Sequence, residues 1–107
     1  MTEVREPRSA AEMDAYYDLR WRVLREPWQK TRGEERDEHE PEAIHLGAWC
    51  RDRLVGVGRA HFVDSGTAQV RYMAVEEDWR GTGIGSEILR ELEQRVCSSG
   101  AHRIVLN

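Results

Sequence analysis

The run Arg80-Gly81-Thr82-Gly83-Ile84-Gly85-Ser86 sets three glycines at alternate positions behind an arginine, just before a helical apolar pattern. That arrangement suits an anion. The first turn of a helix carries unpaired N–H groups and the positive end of the helix dipole. Glycines 81, 83 and 85 remove side chains that would keep a phosphate from the backbone, and Arg80 adds a charge beside it. Two familiar phosphate loops do not fit. A P-loop needs Lys-Ser/Thr after its last glycine, whereas Ser86-Glu87 follows here. A dinucleotide fingerprint needs G-x-G-x-x-G early in a longer doubly wound fold, whereas these glycines run G-x-G-x-G. On the glycines alone, a purely structural turn before a helix explains the pattern equally well.

The elements that must hold this loop follow from periodicity. Thr2 to Glu6 is a short strand ahead of Pro7. Ser9 is a good N-cap, with Glu12 completing a capping box. Ala10 to Arg25 then reads as a helix whose face holds Met13, Tyr16, Tyr17, Arg20, Val23 and Leu24, and Pro27 stops it. Trp28 to Pro41 has no period and mixes Glu34, Glu35, Asp37, Glu38 and Glu40 with Lys30, Arg32 and Arg36, so it reads as a long loop. Ala43 to Cys50 alternates Ile44, Leu46, Ala48 and Cys50 against His45, Gly47 and Trp49, as a strand does. A turn at Arg51-Asp52 leads to a second strand, Leu54 to Val63, with Val55 and Val57 expected to point inward. Asp64-Ser65-Gly66 is a further turn, and Gln69 to Val75 a third strand. Gly83 to Ser98 is a helix with Ile84, Ile88, Leu89, Leu92 and Val96 as its stripe and Gly100 as its breaker. Arg103 to Leu106 is a last apolar strand.

The expected fold class is α/β: one domain over residues 1–107 with a mixed sheet and helices on its faces. Three strands joined by tight turns should be antiparallel, and the closing strand-helix-strand unit parallel, with a right-handed crossover.

Arg80-x-x-Gly83-x-Gly85 matches the signature Gln/Arg-x-x-Gly-x-Gly/Ala, and its surroundings match as well. The strand ending Met73-Ala74-Val75, Trp79 before Arg80, Ile84 between glycines, and the strand Ile104-Val105-Leu106 all resemble the GNAT superfamily of N-acetyltransferases. Leu54-Val55-Gly56-Val57-Gly58-Arg59-Ala60 resembles that family's third strand. The resemblance is good from Ala43 to Asn107 and looser over the first helix.

It implies transfer of an acetyl group from acetyl-CoA to a primary amine by direct attack. Arg80, Gly81, Thr82, Gly83, Ile84, Gly85 and Ser86 would hold the pyrophosphate of coenzyme A. The backbone of Met73, Ala74 and Val75 would pair with the pantetheine arm. The sheet would splay between Gln69–Val75 and Arg103–Leu106, with an N–H near Met73 stabilising the developing oxyanion. The amine must lose its proton, so a base or a water leading to one is expected. Some family members use a glutamate on the strand that is Gln69–Val75 here; the nearest equivalent is Gln69, which cannot be a base. His61 and the Glu34–Glu40 loop are the remaining candidates, and the catalytic residues stay unassigned. The acidic loop is also placed to attract a cationic amine. A non-catalytic coenzyme A-binding or dimerisation module is the alternative.

Family members carry further elements after the strand that is Arg103–Leu106 here. The expectation is therefore an apolar sheet edge that must be covered, with three explanations open: the chain is a fragment of a longer protein, two copies complete each other as a homodimer by edge pairing or swapped elements, or the missing elements are dispensable and the site is incomplete. Formal net charge is -4, which argues against nucleic acid as a partner. Charged residues make up 34% of the chain and no run spans a bilayer, so neither a membrane nor a secretory signal is expected, and the location expected is cytoplasmic. Cys50 and Cys97 read as reduced thiols, and scattered His39, His45, His61 and His102 give no metal site.

Overall fold

In the computed structural model five strands form one sheet in the order β1-β2-β3-β4-β5. They are β1 Thr2–Arg5, β2 Ile44–Cys50, β3 Arg53–Phe62, β4 Thr67–Val75 and β5 Arg103–Leu106; the helices are α1 Ala10–Leu24 and α2 Ile84–Ser98. The structure describes residues 2–28, 31–33 and 36–106, so Lys30, Glu34 and Glu35 of the charged loop, and Asn107, lie outside the described residues. The first four strands pair antiparallel, and β4 pairs with β5 in parallel. The mixed sheet and the closing parallel unit are as the sequence predicts. The charged loop carries single 3-10 turns at its two ends, Glu26–Trp28 and Glu40–Glu42.

The two helices cover opposite faces. α2 lays Ile84, Ile88, Leu92 and Val96 onto Leu46, Ala48, Val55, Ala60, Ala68 and Val70. Each such buried side chain contributes roughly 1.5–3 kcal/mol. Gly58 lets the helix come this close, because a Cβ there would lie 2.6 Å from Ile88 Cγ2 and Met73 Sδ. The helix ends in a Schellman motif. Gly100 is left-handed (φ 106°), with its amide bonded to the Cys97 carbonyl and the Ala101 amide bonded to Val96. α1 lays Tyr16, Tyr17 and Leu19 onto Trp49, Leu54, Val57 and Ala74. The Ser9 cap is realised, its Oγ accepting from the Glu12 amide at 3.1 Å. The reciprocal half of the capping box is not. The Glu12 carboxylate takes the Arg8 amide and the Arg5 guanidinium instead.

Two departures from plain alternation matter. Val55 and Val57 do not share a face: Val55 packs under α2 and Val57 under α1. The register of β2 on β3 slips between Ala48 and Trp49, so Val55 is an extra residue that changes the parity of the strand. β2 is buried on both sides rather than one, from Leu46 to Trp49, because the helices cover both faces of the sheet. The second slip, on β4, builds the site.

Candidate functional site

The glycine-rich loop leaves β4 through a 3-10 turn at Glu77–Trp79 and enters α2. Gly81 and Gly83 sit at φ 80° and φ 90°, where a Cβ is strained, and nothing lies within 4 Å of where either Cβ would be. These two glycines answer a backbone demand. Gly85 does not: a Cβ there would make only ordinary contact with Val75 Cγ2, at 3.8 Å. Gly83 is the N-cap of α2 and offers no side chain to it. The first helical bond runs from the Glu87 amide to the Gly83 carbonyl, so the amides of Ile84, Gly85 and Ser86 precede the hydrogen-bonded ladder. Ile84 is buried and anchors the turn, while Ser86 is exposed. Thr82 is exposed, its Oγ1 donating to the Trp79 carbonyl at 2.5 Å. Arg80 is exposed, with Nε donating to the Val75 carbonyl at 3.2 Å. Val75, Trp79, Arg80 and the loop apart from Thr82 line an open cleft of about 290 Å³, with no acidic side chain among its lining residues. Glu87, the one carboxylate in the first turn of α2, takes the Thr2 hydroxyl.

The cleft continues onto a bare length of β4. β5 pairs with β4 from Thr67 to Val70, so the two strands are joined there, and the expected opening between them lies only beyond, at Arg71–Val75. On the other side of β4 the register with β3 jumps from Arg59↔Arg71 to Val57↔Ala74. Tyr72 and Met73 share one step in a bulge, and Tyr72 takes the left-handed φ of 60° that makes it. Arg71 and Tyr72 consequently both face α1, while Met73 faces α2. Among the described residues, β5 does not pair with Met73, Ala74 or Val75, and this length of β4 leads to the loop at 80–86.

Beneath α1 lies an ion-paired cluster that the sequence did not announce. Arg59 is fully buried and bonded to Asp37 at 2.5 and 3.0 Å and to Glu40 at 2.6 Å. Arg20, also fully buried, reaches Glu40 at 3.0 Å and the Tyr16 hydroxyl at 3.0 Å. The turn at residues 37–42 is therefore a strap tied to the sheet, not a solvated acidic loop. Burial opposes ionisation of Asp37, but hydrogen bonds from Arg59 and the His39 amide outweigh it and hold the carboxyl well below its ordinary value. Neither carboxylate is a free base. His61, the other candidate, is buried across from Gln69, stacks on His39 at 4.1 Å, and accepts from Arg59 at 3.1 Å. Burial, then the Arg59 charge, push its pKa down. His45 donates to the Glu40 carbonyl at 2.7 Å and meets the Tyr16 hydroxyl at 2.9 Å; burial lowers its pKa too. The signal available in the sequence was slight: Arg20 on the inward stripe of α1, and Arg59 in an otherwise apolar strand.

These shifts fix how stability depends on pH. A buried neutral histidine stabilises fully above its unfolded pKa of about 6.5 and loses that contribution as pH falls toward its lower folded value. Asp37 stabilises above about 3.9 and loses its part only at lower pH. The urea midpoint, followed by fluorescence of the buried Trp49, is expected to fall in two stages, below about pH 6.5 and again below about pH 4. A midpoint flat from pH 7.5 to 5 would contradict the first stage.

Among the described residues no helix is long and apolar enough to cross a membrane, and no group of three His, Cys, Asp or Glu side chains could hold a metal ion. Solved structures share the fold. An aminoglycoside 6′-N-acetyltransferase complexed with coenzyme A superposes with TM-score 0.77 at 24% identity, covering 99% of this chain and 60% of that one. A GNAT family acetyltransferase from Elizabethkingia anophelis with acetyl-CoA bound gives 0.74 at 17% identity, covering 98% and 63%. A transcriptional regulator from Bacillus halodurans gives 0.74 at 15%, covering 100% and 81%. This chain thus spans less than two thirds of the two acetyltransferases. At these identities the likeness establishes the fold; the family rests on residues 13–107, which match the sequence model of the acetyltransferase (GNAT) family. With the glycine loop and that match in agreement, the chain belongs to the GNAT acetyltransferase family.

Proposed function

We propose that this acetyltransferase-family chain moves an acetyl group from acetyl-CoA to a primary amine, the amine attacking the thioester directly. The observation that carries the reading is the continuity of two unpaired backbone surfaces. The amides at the start of α2, with Gly81 and Gly83 left-handed before them, run into the bare edge of β4 at Met73–Val75. The first surface suits a pyrophosphate, with Arg80 beside it. The second suits an amide-bearing arm added as a strand. Acetyl-CoA supplies an acyl group already activated as a thioester. The bulge at Tyr72–Met73 leaves backbone groups outside the β3 ladder, where an N–H can meet the oxygen that gains charge. Two proteins of the same fold carry coenzyme A or acetyl-CoA, which supports that ligand here. A cytoplasmic location is part of this reading.

Among the described residues, the two carboxylates that reach the sheet beneath α1 do not stand free as a base. Gln69 cannot serve, and Asp37 and Glu40 are occupied by Arg59 and Arg20. The amine proton is therefore given to water. That occupation also favours a second reading, coenzyme A binding without turnover. Calorimetric titration with acetyl-CoA, combined with thiol release over a panel of amines, separates the two. Micromolar binding with release is expected. Binding without release for any amine would favour the second reading, and no binding at millimolar ligand would remove both.

A further inference from the structure

Among the described residues two other than glycine take a left-handed backbone, Arg51 at φ 58° and Tyr72 at φ 60°. Arg51 sits in the exposed turn between β2 and β3, where that conformation is ordinary. Tyr72 lies inside β4 and is 6% exposed. A residue with a bulky side chain is strained there, and such strain persists only where the surroundings impose it. The surroundings of Tyr72 are guanidiniums. Those of Arg20, Arg59 and Arg71 lie 4.4, 4.8 and 4.8 Å from the ring centroid, and that of Arg25 lies 5.5 Å away. Arg20 and Arg25 come from α1 and its C-cap, Arg59 from β3 and Arg71 from β4, so the ring is gripped from several segments. Arg20 and Arg59 are fully buried and anchored by Glu40 and Asp37. A cation against an aromatic ring is attracted to it, the more so when both are out of water. The Tyr72 hydroxyl reaches Asp37 at 3.5 Å, long for a hydrogen bond, so the ring is the stronger hold.

We propose that Tyr72 is a positioning residue: its ring, held by these arginines, fixes the left-handed step that aims the Met73 N–H at the acetyl carbonyl. This rests on the acetyl-CoA reading. The peptide joining Tyr72 to Met73 is a rigid plane. The direction of the Met73 N–H therefore follows the backbone rotation of Tyr72, and whatever fixes that rotation fixes the donor. The strand registers do not fix it. On β3 the pairs Arg59↔Arg71 and Val57↔Ala74 flank the bulge without including Tyr72 or Met73, and β5 pairs with β4 no further than Val70. The side chains hold the step instead, from opposite faces of the sheet. Tyr72 is gripped on the α1 side, while Met73 packs on the α2 side with its Sδ 2.6 Å from where a Cβ on Gly58 would lie. A donor aimed in advance at the oxygen that gains charge needs no reorganisation as the amine attacks.

The test reads the carbonyl directly and needs no acceptor. Acetyl-CoA carrying carbon-13 at the acetyl carbonyl is bound to the protein, and its carbon signal is compared with that of the free compound. A hydrogen bond to the carbonyl oxygen draws electron density from the carbon and moves the signal downfield. Wild type is expected to show this shift, and Tyr72→Phe, which keeps the ring, to retain it. Tyr72→Leu is expected to lose most of it while binding acetyl-CoA within about threefold of wild type, because the pyrophosphate is held by the loop at 80–86. Tyr72→Asn suits a left-handed backbone but has no ring, and it should lose the shift as well. For any amine that is acetylated, kcat of the leucine variant should fall roughly 10- to 100-fold with KM for acetyl-CoA unchanged. Circular dichroism confirms folding. Should Tyr72→Leu not fold, Tyr72→Asn and Arg71→Met carry the comparison, the second removing one guanidinium from a side chain that is 37% exposed, and both should reduce the shift. A shift retained without the ring, lost in Tyr72→Phe, or absent from wild-type protein that binds acetyl-CoA overturns the proposal and leaves the coenzyme site standing. So does a folded Tyr72→Leu protein whose acetyl-CoA affinity collapses. If wild type does not bind acetyl-CoA, the underlying reading fails, and the proposal with it.

Discussion

Gly83→Glu is expected to abolish acetyl-CoA binding while the chain remains folded. The open space around the Gly83 Cβ position means that the new side chain displaces no protein atom. The fold pays only for a left-handed non-glycine residue, about 1–2 kcal/mol. The ligand pays more. A carboxylate about 4 Å from a phosphate charge costs on the order of 4 kcal/mol at an effective dielectric constant near 20, or about a thousandfold in Kd. Gly83→Ala carries the same backbone strain without the charge and separates the two effects. It should lower the melting temperature about as much and weaken binding far less. Calorimetric titration reads the affinity and thermal unfolding the fold. A Gly83→Glu protein that is folded and binds like wild type would show that the pyrophosphate lies elsewhere.

The second large effect is expected at Arg59. Arg59→Met removes the fully buried guanidinium that holds Asp37 and Glu40, leaving carboxylates facing the sheet without their main partner. Breaking a buried pair by deleting one member costs about 3–5 kcal/mol, a large share of the roughly 5–15 kcal/mol that holds a domain together. Adding Asp37→Leu should give part of it back, because the stranded charge is then gone. Urea unfolding of the two single variants and the double measures the coupling. Additive losses, or a loss under about 1 kcal/mol for Arg59→Met, would mean that the strap is not held by charge.

Where the structure follows the sequence, one physical rule governs each element. The α2 stripe is a single apolar face at helical spacing, so Ile84, Ile88, Leu92 and Val96 could be read off directly and all are buried. The strands alternate, and their turns carry glycine and aspartate. What escaped is what depends on the unexpected partner. A bulge leaves no mark in composition, so Val55 and Val57 looked like neighbours on one face, and nothing marked that Arg71 and Tyr72 share one. The strap escaped because its partners lie 19 and 22 positions away, at Arg59, and arginines in a charged chain read as surface. The loop at 80–86 was legible because its geometry is local: two left-handed glycines and a helix start, all within seven residues. The cluster around Tyr72 is built from α1, β4 and a distant turn, and no stretch of sequence contains it.

The bulge at Tyr72–Met73 behaves as a frameshift in the strand. Upstream of it odd-numbered residues face α1 and even-numbered ones face α2; downstream the assignment is reversed. Deleting a single residue there would leave every later side chain chemically unchanged yet turn one half of β4 over. Either Ala68 and Val70 leave the core for the polar side, carrying Gln69 and Arg71 into the apolar packing under α2, or Val75 and the strand edge roll away from the glycine loop. Substitution is therefore the route by which the surface at Arg71 can change. Length at this point is fixed, because one residue keeps two faces of the sheet in phase with two different neighbours.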